Sequence, residues 1–147
     1  ALAVAYYEQV AQMASALQPN VIGHLDLVAK HAPAEAAVST PAVREAAAYA
    51  LDAIAAQDSI VEVNTAGYRK GLGRPYPAPW LVEAAAARDI PLALSDDSHR
   101  VADVGAHYEE AAAYLRGLGI AHVIQVVREV DGSLARRRVP LPNDTSA

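Results

Sequence analysis

Asp97 and His99 close the apolar run Leu92-Ala93-Leu94, where a stretch opened by Pro91 breaks into Ser95-Asp96-Asp97-Ser98-His99. A buried parallel strand that delivers side chains to its C-terminal end has this look. Two apart in an extended segment, the carboxylate and the imidazole point to one face. Together they suit a hard or borderline divalent cation. Helix starts use the same residue types, so Asp96, Asp97 and Ser98 also read as caps of a following helix. Two further stretches repeat the pattern. Val21-Ile22-Gly23-His24-Leu25-Asp26 closes on His24 and Asp26, again two apart. Taken alone, His24 is a core histidine and Asp26 a loop holder. Ser59-Ile60-Val61-Glu62-Val63-Asn64 places Glu62 and Asn64 on one face of a strand rich in β-formers. Strand ends that each close on paired polar residues favour a shared site at one sheet edge over a set of unrelated caps. The chain has no cysteine, so a metal here is held by His, Asp, Glu or water, which fits hydrolytic chemistry better than structural zinc.

The elements that must position these residues follow from periodicity. Residues 1–18 read as a helix with Leu2, Tyr6, Val10, Met13 and Leu17 inward. The pattern begins without a cap or an initiator Met, so we expect the sequence to start partway through a larger polypeptide. Pro19-Asn20 ends this helix. Thr40 caps a second helix with Pro41 in its first turn, running to about Ala56 with Val43, Ala47, Leu51 and Ile54 inward. After the strand at 59–64 comes a long irregular segment, Thr65 to Pro77, in which Arg69, Lys70 and Arg74 are able to receive an anion. They read equally as a solvated basic loop. A helix at 78–88 with Trp80, Leu81 and Ala84 inward leads to the strand at 91–95. Another at 107–118 turns Tyr108, Ala111, Ala112 and Leu115 inward. Ala121–Val130 and Leu134–Leu141 are strands joined through Asp131-Gly132, a two-residue hairpin signal. Residues 142–147 are expected to be a flexible tail. The order, a helix, three βα units and a hairpin, predicts an α/β fold with a parallel sheet.

Composition excludes several functions. With 147 residues, 53% of them hydrophobic, the chain suits one domain or part of a larger one. A net charge of −5 speaks against a nucleic-acid surface. The short run Arg136-Arg137-Arg138 reads as a solvated strand edge. No signal peptide and no membrane-spanning run is present, so a cytoplasmic protein is the expectation.

Gly23-His24-Leu25-Asp26-Leu27, Glu62-Val63-Asn64-Thr65-Ala66-Gly67-Tyr68-Arg69-Lys70, Pro75-Tyr76-Pro77, and Ser95-Asp96-Asp97-Ser98-His99 followed by Asp103-Val104-Gly105 stand in a telling order. In that order they resemble the PHP phosphoesterase superfamily, and within it the PHP-type histidinol-phosphate phosphatases. The resemblance covers about residues 1–130. It implies the C-terminal part of a distorted (β/α)7 TIM-like barrel, with residues 1–141 forming this part and the N-terminal half of the barrel lying outside the chain. The family's initial His-x-His strand and metal-bridging Glu have no counterpart here, and His31, His107 and His122 stand in the wrong context to replace them. The resemblance further implies a multinuclear site of divalent ions (Zn, Mn or Fe). His24, Asp97 and His99 would be metal ligands, Asp97 and His99 would carry catalysis, and Arg69 would contact the substrate phosphate. The reaction implied is hydrolysis of a small-molecule phosphate ester, L-histidinol phosphate first, by a full-length parent, with the isolated chain inactive. Two other readings are a PHP domain acting on nucleic-acid phosphodiesters and a non-catalytic interaction fragment. The acidic balance weighs against the first.

Overall fold

The computed structural model describes residues 2–32 and 35–141. In chain order the elements are α1 (Leu2–Leu17), β1 (Val21–Ile22), α2 (Pro41–Ala56), β2 (Ile60–Asn64), α3 (Ala66–Arg69), α4 (Pro79–Ala86), β3 (Leu92–Ser95), α5 (Tyr108–Gly117), β4 (His122–Arg128) and β5 (Leu134–Pro140). Short 3-10 turns occupy Leu27–His31, Glu35–Val38 and Val101–Asp103. The expected tail at 142–147 lies outside the described residues.

Strands β1, β2 and β3 form a parallel sheet in sequence order, with Val21 opposite Ile60, Glu62 opposite Ala93 and Asn64 opposite Ser95. All three C-terminal ends therefore lie on one edge, as the βα alternation predicts. Strands β4 and β5 pair antiparallel in a second sheet, and no barrel closes among the described residues. The α/β class and the terminal hairpin are as expected. No described helix is long and apolar enough to cross a membrane.

The core lies between the helices and the parallel sheet. In α2 the predicted face is the buried one: Val43, Ala47, Leu51 and Ile54 are all inside, and Thr40 Oγ1 accepts the Val43 N–H at 3.4 Å as its cap. In α1 the stripe is rotated from the prediction. Ala3, Tyr7, Val10, Ala11 and Ala14 are buried, whereas Leu2 and Leu17 stand in solvent. The reason is the partner. α1 packs chiefly on α2, whose own inner face carries Ala46, Ala47 and Ala50. Two alanine faces let the backbones approach closely, and that outweighs burial of the terminal leucines. In α4 Leu81, Val82 and Ala85 are buried, with Trp80 and Ala84 half-buried against the same core. In α5, Ala111, Ala112 and Leu115 are buried and Tyr108 is half-exposed.

Three local expectations need correction. The strand predicted for 21–26 ends at Ile22, because His24 adopts a left-handed backbone with φ of 51°. The irregular segment after Asn64 begins with a helical turn, α3, whose first N–H (Ala66) is accepted by Asn64 Oδ1 at 2.8 Å. The hairpin turn is longer than two residues. Glu129 and Ser133 close it by a backbone hydrogen bond of 2.8 Å, and Gly132 takes φ of 86°, the three-residue form that needs glycine in the left-handed position. The arginine run lies on the exposed strand β5, as predicted for a solvated edge. Arg136 also reaches back to the Asp58 carboxylate at 3.0 Å, tying the hairpin to the start of β2.

Candidate active site

The shared edge of the parallel sheet gathers His24 after β1, Glu62 on β2 and Asp97 after β3. His24 Nε2 lies 3.9 Å from Asp97 Oδ2, and His24 Nδ1 lies 3.9 Å from Glu62 Oε2. The imidazole thus sits between two carboxylates. Both His24 and Asp97 have left-handed backbones, with φ of 51° and 50°. The two-apart alternation does not describe either segment, because neither is extended past Ile22 or Ser95. The side chains converge through turns instead.

The His24 backbone is held at both of its hydrogen-bonding groups. Its N–H donates to Glu62 Oε2 at 2.9 Å, and its carbonyl accepts from the Tyr6 hydroxyl at 3.0 Å. Tyr76 meets the imidazole edge-on at 6.2 Å. Glu62 Oε1 accepts the Ser95 hydroxyl at 2.5 Å, which joins β2 to the end of β3. A Cβ on Gly23 would stand 3.3 Å from Glu62 Oε2, so the glycine gives the carboxylate room to approach.

The other residues of the predicted cluster divide by role. Asp26 does not share the site. It is buried, accepts the Ala78 N–H at 2.8 Å and faces Arg74 Nη1 at 3.6 Å, holding the start of α4 and the preceding loop together. Asp96 organises its own turn, with Oδ1 accepting from Ser98 Oγ at 2.6 Å and Ser98 N at 3.1 Å, and Oδ2 from Gly105 N at 2.6 Å. The Ser98 hydroxyl, and after it the Gly105 N–H, hold the Asp96 carboxyl below its ordinary range. Asp96 therefore closes a turn and caps no helix, since the following 3-10 turn and α5 start at Arg100 and His107 without a side-chain cap, and Asp97 is left to face His24. Arg69 Nη2 donates to the carbonyls of Asp96 and Asp97, and its Nε lies 4.0 Å from Asp103. Its Nη1 is buried and unpartnered. His99 is exposed, with Nδ1 at 2.8 Å from the Asp97 carbonyl. It neighbours Asp97 through the backbone and makes no ion pair with the His24–Asp97 pair. Tyr6 and Tyr76 are the site residues that spacing did not single out, whereas alternation places Glu62 on the site's face with Asn64. The signal for Glu62 was its position as the acidic residue alternating within β2.

A divalent ion fits part of this geometry. His24 Nδ1 is buried without a hydrogen bond, and the Nε2–Oδ2 gap of 3.9 Å is a small movement from the ~3.4 Å that separates two tetrahedral ligands bound at ~2.1 Å. Among the described residues no group of three or more His, Asp or Glu side chains converges on one point. The chain supplies two facing donors, and a complete shell needs more. Beside the site, a mainly apolar cavity of about 580 Å³ separates β3 from the hairpin and is walled at one end by Glu62, Ser95 and Tyr108. Burial raises the Tyr108 hydroxyl above its ordinary value, with the Asp96 and Glu62 charges adding to the shift.

No family model matches this chain. Comparison with curated proteins does find relatives. A probable histidinol-phosphatase of Deinococcus radiodurans is 39% identical over 114 residues, which are 78% of this chain and 42% of that protein. A probable histidinol-phosphatase of Schizosaccharomyces pombe is 33% identical over 135 residues, 90% of this chain and 44% of that protein. The histidinol-phosphatase of Bacillus subtilis is 29% identical over 104 residues, 70% of this chain and 39% of that protein. The chain therefore spans about two-fifths of the length of the relatives it matches.

Proposed function

The chain is a relative of the histidinol-phosphatases over most of its own length, and on that premise we propose that a longer polypeptide carrying it hydrolyses a phosphate monoester. L-Histidinol phosphate is the leading substrate. Water and ester give the free alcohol and inorganic phosphate. In this reading residues 1–141 form the C-terminal half of a PHP-type TIM-like barrel, completed by strands outside the chain, and the protein works in the cytoplasm on a small soluble ester. The observation that carries the proposal is the meeting of His24 Nε2 and Asp97 Oδ2 at 3.9 Å on the C-terminal edge of a parallel sheet, where α/β folds build their sites.

Divalent ions (Zn, Mn or Fe) belong to this proposal as well. His24 and Asp97 would contribute one nitrogen and one oxygen donor, and His99 a further donor once its ring turns from the Asp97 carbonyl. A bound ion supplies charge that stabilises the developing negative charge on the phosphate and acidifies water beside it. The chain's own residues do the positioning. Arg69 holds the Asp97 turn by two carbonyls; its Nη1 is buried without a hydrogen-bond partner, and a shift of the guanidinium toward the sheet edge would let it contact the ester phosphate. With only two donors facing each other, the 147-residue chain alone is expected to bind metal weakly and to turn over little.

The test is release of inorganic phosphate from histidinol phosphate by the full-length protein with added Zn, Mn or Fe. Activity that falls on His24→Ala and on Asp97→Ala supports the reading. A folded, metal-loaded protein that releases no phosphate overturns it.

A further inference from the structure

We propose that Glu62 and Tyr6 are positioning residues that set the aim of His24. Three observations carry this. First, the left-handed backbone of His24, with φ of 51°, costs energy in any residue with a Cβ, and it is held at both of its hydrogen-bonding groups by side chains from elsewhere in the fold. Glu62 takes the N–H at 2.9 Å and Tyr6 gives to the carbonyl at 3.0 Å. Second, Glu62 is itself anchored. Its second oxygen accepts the Ser95 hydroxyl at 2.5 Å, and Ser95 is the last residue of the strand that leads to Asp97. One carboxylate thus ties the peptide of His24 to the strand that delivers its partner. Third, glycine at residue 23 eases the approach of Glu62 to His24, since an added Cβ would come within 3.3 Å of Oε2 and push the carboxylate back by a few tenths of an ångström.

The consequence is geometric. With both peptide groups fixed, the Cα–Cβ bond of His24 is aimed at the sheet edge, and in the rotamer present Nε2 lies 3.9 Å from Asp97 Oδ2. Glu62 need not touch substrate to matter. Its role rests on the phosphatase reading above only in that His24 and Asp97 are taken to face the ester.

The test compares Glu62→Ala, Glu62→Gln and Tyr6→Phe in the full-length protein. The glutamine amide keeps an acceptor for the His24 N–H and turns its NH₂ toward Ser95 Oγ, so it preserves the geometry without the charge. Expected are a fall in kcat/KM of about 10- to 100-fold for Glu62→Ala, the range for groups that orient a ligand from behind, and recovery to within about threefold by Glu62→Gln. Tyr6→Phe should lie between the two. Exchange of the His24 amide hydrogen should speed up in Glu62→Ala and stay protected in Glu62→Gln. In a His24→Ala background, Glu62→Ala should cost nothing further, because its effect runs through His24. Equal losses in Glu62→Ala and Glu62→Gln, an unchanged His24 amide in Glu62→Ala, or full additivity with His24→Ala would each overturn the proposal. The phosphatase reading fails separately, if His24→Ala leaves turnover intact while the amide exchange changes as described.

Discussion

Gly67→Ala tests whether α3 is wedged as tightly as its geometry requires. A Cβ at Gly67 would lie 2.2 Å from the Arg74 carbonyl oxygen, 3.0 Å from Pro75 C and 3.1 Å from Pro75 Cα. All three are backbone atoms, so no side chain is able to swing away. The strip they belong to is pinned as well. Tyr76 pairs with Asn64 through hydrogen bonds of 2.9 and 2.8 Å, and Arg74 faces the buried Asp26 at 3.6 Å. Relieving the clash needs a displacement of about 1 Å, which places the cost near ~3 kcal/mol, the upper part of the over-packing range. For a domain of this size that lowers Tm by about 6–12 °C. Arg69 sits two residues on in the same turn and holds the Asp96 and Asp97 carbonyls. Shifting α3 therefore loosens the Asp97 turn, and activity should drop about 100-fold, as for a comparable misplacement of reacting groups. The assay is thermal unfolding by circular dichroism beside phosphate release. Gly71→Ala is the control. It has φ of 80° and nothing within 4 Å, so it loses only backbone preference, about 1–2 kcal/mol. If Gly67→Ala melts no lower than Gly71→Ala, the wedge argument is wrong.

Asp97→Ala should lower phosphate release by at least about 100-fold, the scale of losing a charged group at the reacting centre, whereas exposed Lys70→Ala should stay within about twofold, as surface changes do; equal losses would refute the assignment. Thr40→Ala should cost about 1 kcal/mol in urea unfolding by removing the cap on the Val43 N–H. The Ser133 hydroxyl, and after it the Ser133 N–H, hold the Asp131 carboxyl below its ordinary value. A depressed folded value means that the contribution is present above the ordinary carboxylate range and fades as pH falls through the lowered one. Ser133→Ala should move the Asp131 titration upward in NMR, and an unmoved curve would count against that hydrogen bond.

Much of the scaffold was readable because it obeys local rules. Thr40, Pro41 and the Val43, Ala47, Leu51, Ile54 stripe announce α2, and the buried face matches. Alternating strands and helices announce the parallel sheet and place the ends of β1, β2 and β3 on one edge. The failures have a common cause. In α1, leucines outrank alanines by hydrophobicity, yet Ala3, Ala11 and Ala14 are buried because the facing helix also offers alanines, a tertiary fact absent from any one segment. At His24 and Asp97 the two-residue alternation paired the wrong mates, Asp26 and His99, because both backbones leave the extended region and bring His24 and Asp97 toward each other instead. Two-thirds of the predicted trio converge, and His99 does not, because its ring is taken up by the Asp97 carbonyl. Arg69 was legible as a cation near the site. That it grips the main chain of the turn is set by the approach of α3 to residues 96 and 97, far off in sequence.

Positive φ at His24 and Asp97 also shapes what protein engineering would do here. Glycine or asparagine relaxes such a backbone, so a selection for heat resistance would be drawn to these two positions early. Each success would remove an imidazole or a carboxylate from the pocket. On the proposed phosphatase reading, thermostability and turnover are set against each other at the same two Cα atoms, and libraries aimed at a sturdier protein should leave them fixed and vary the solvent face of α1 instead.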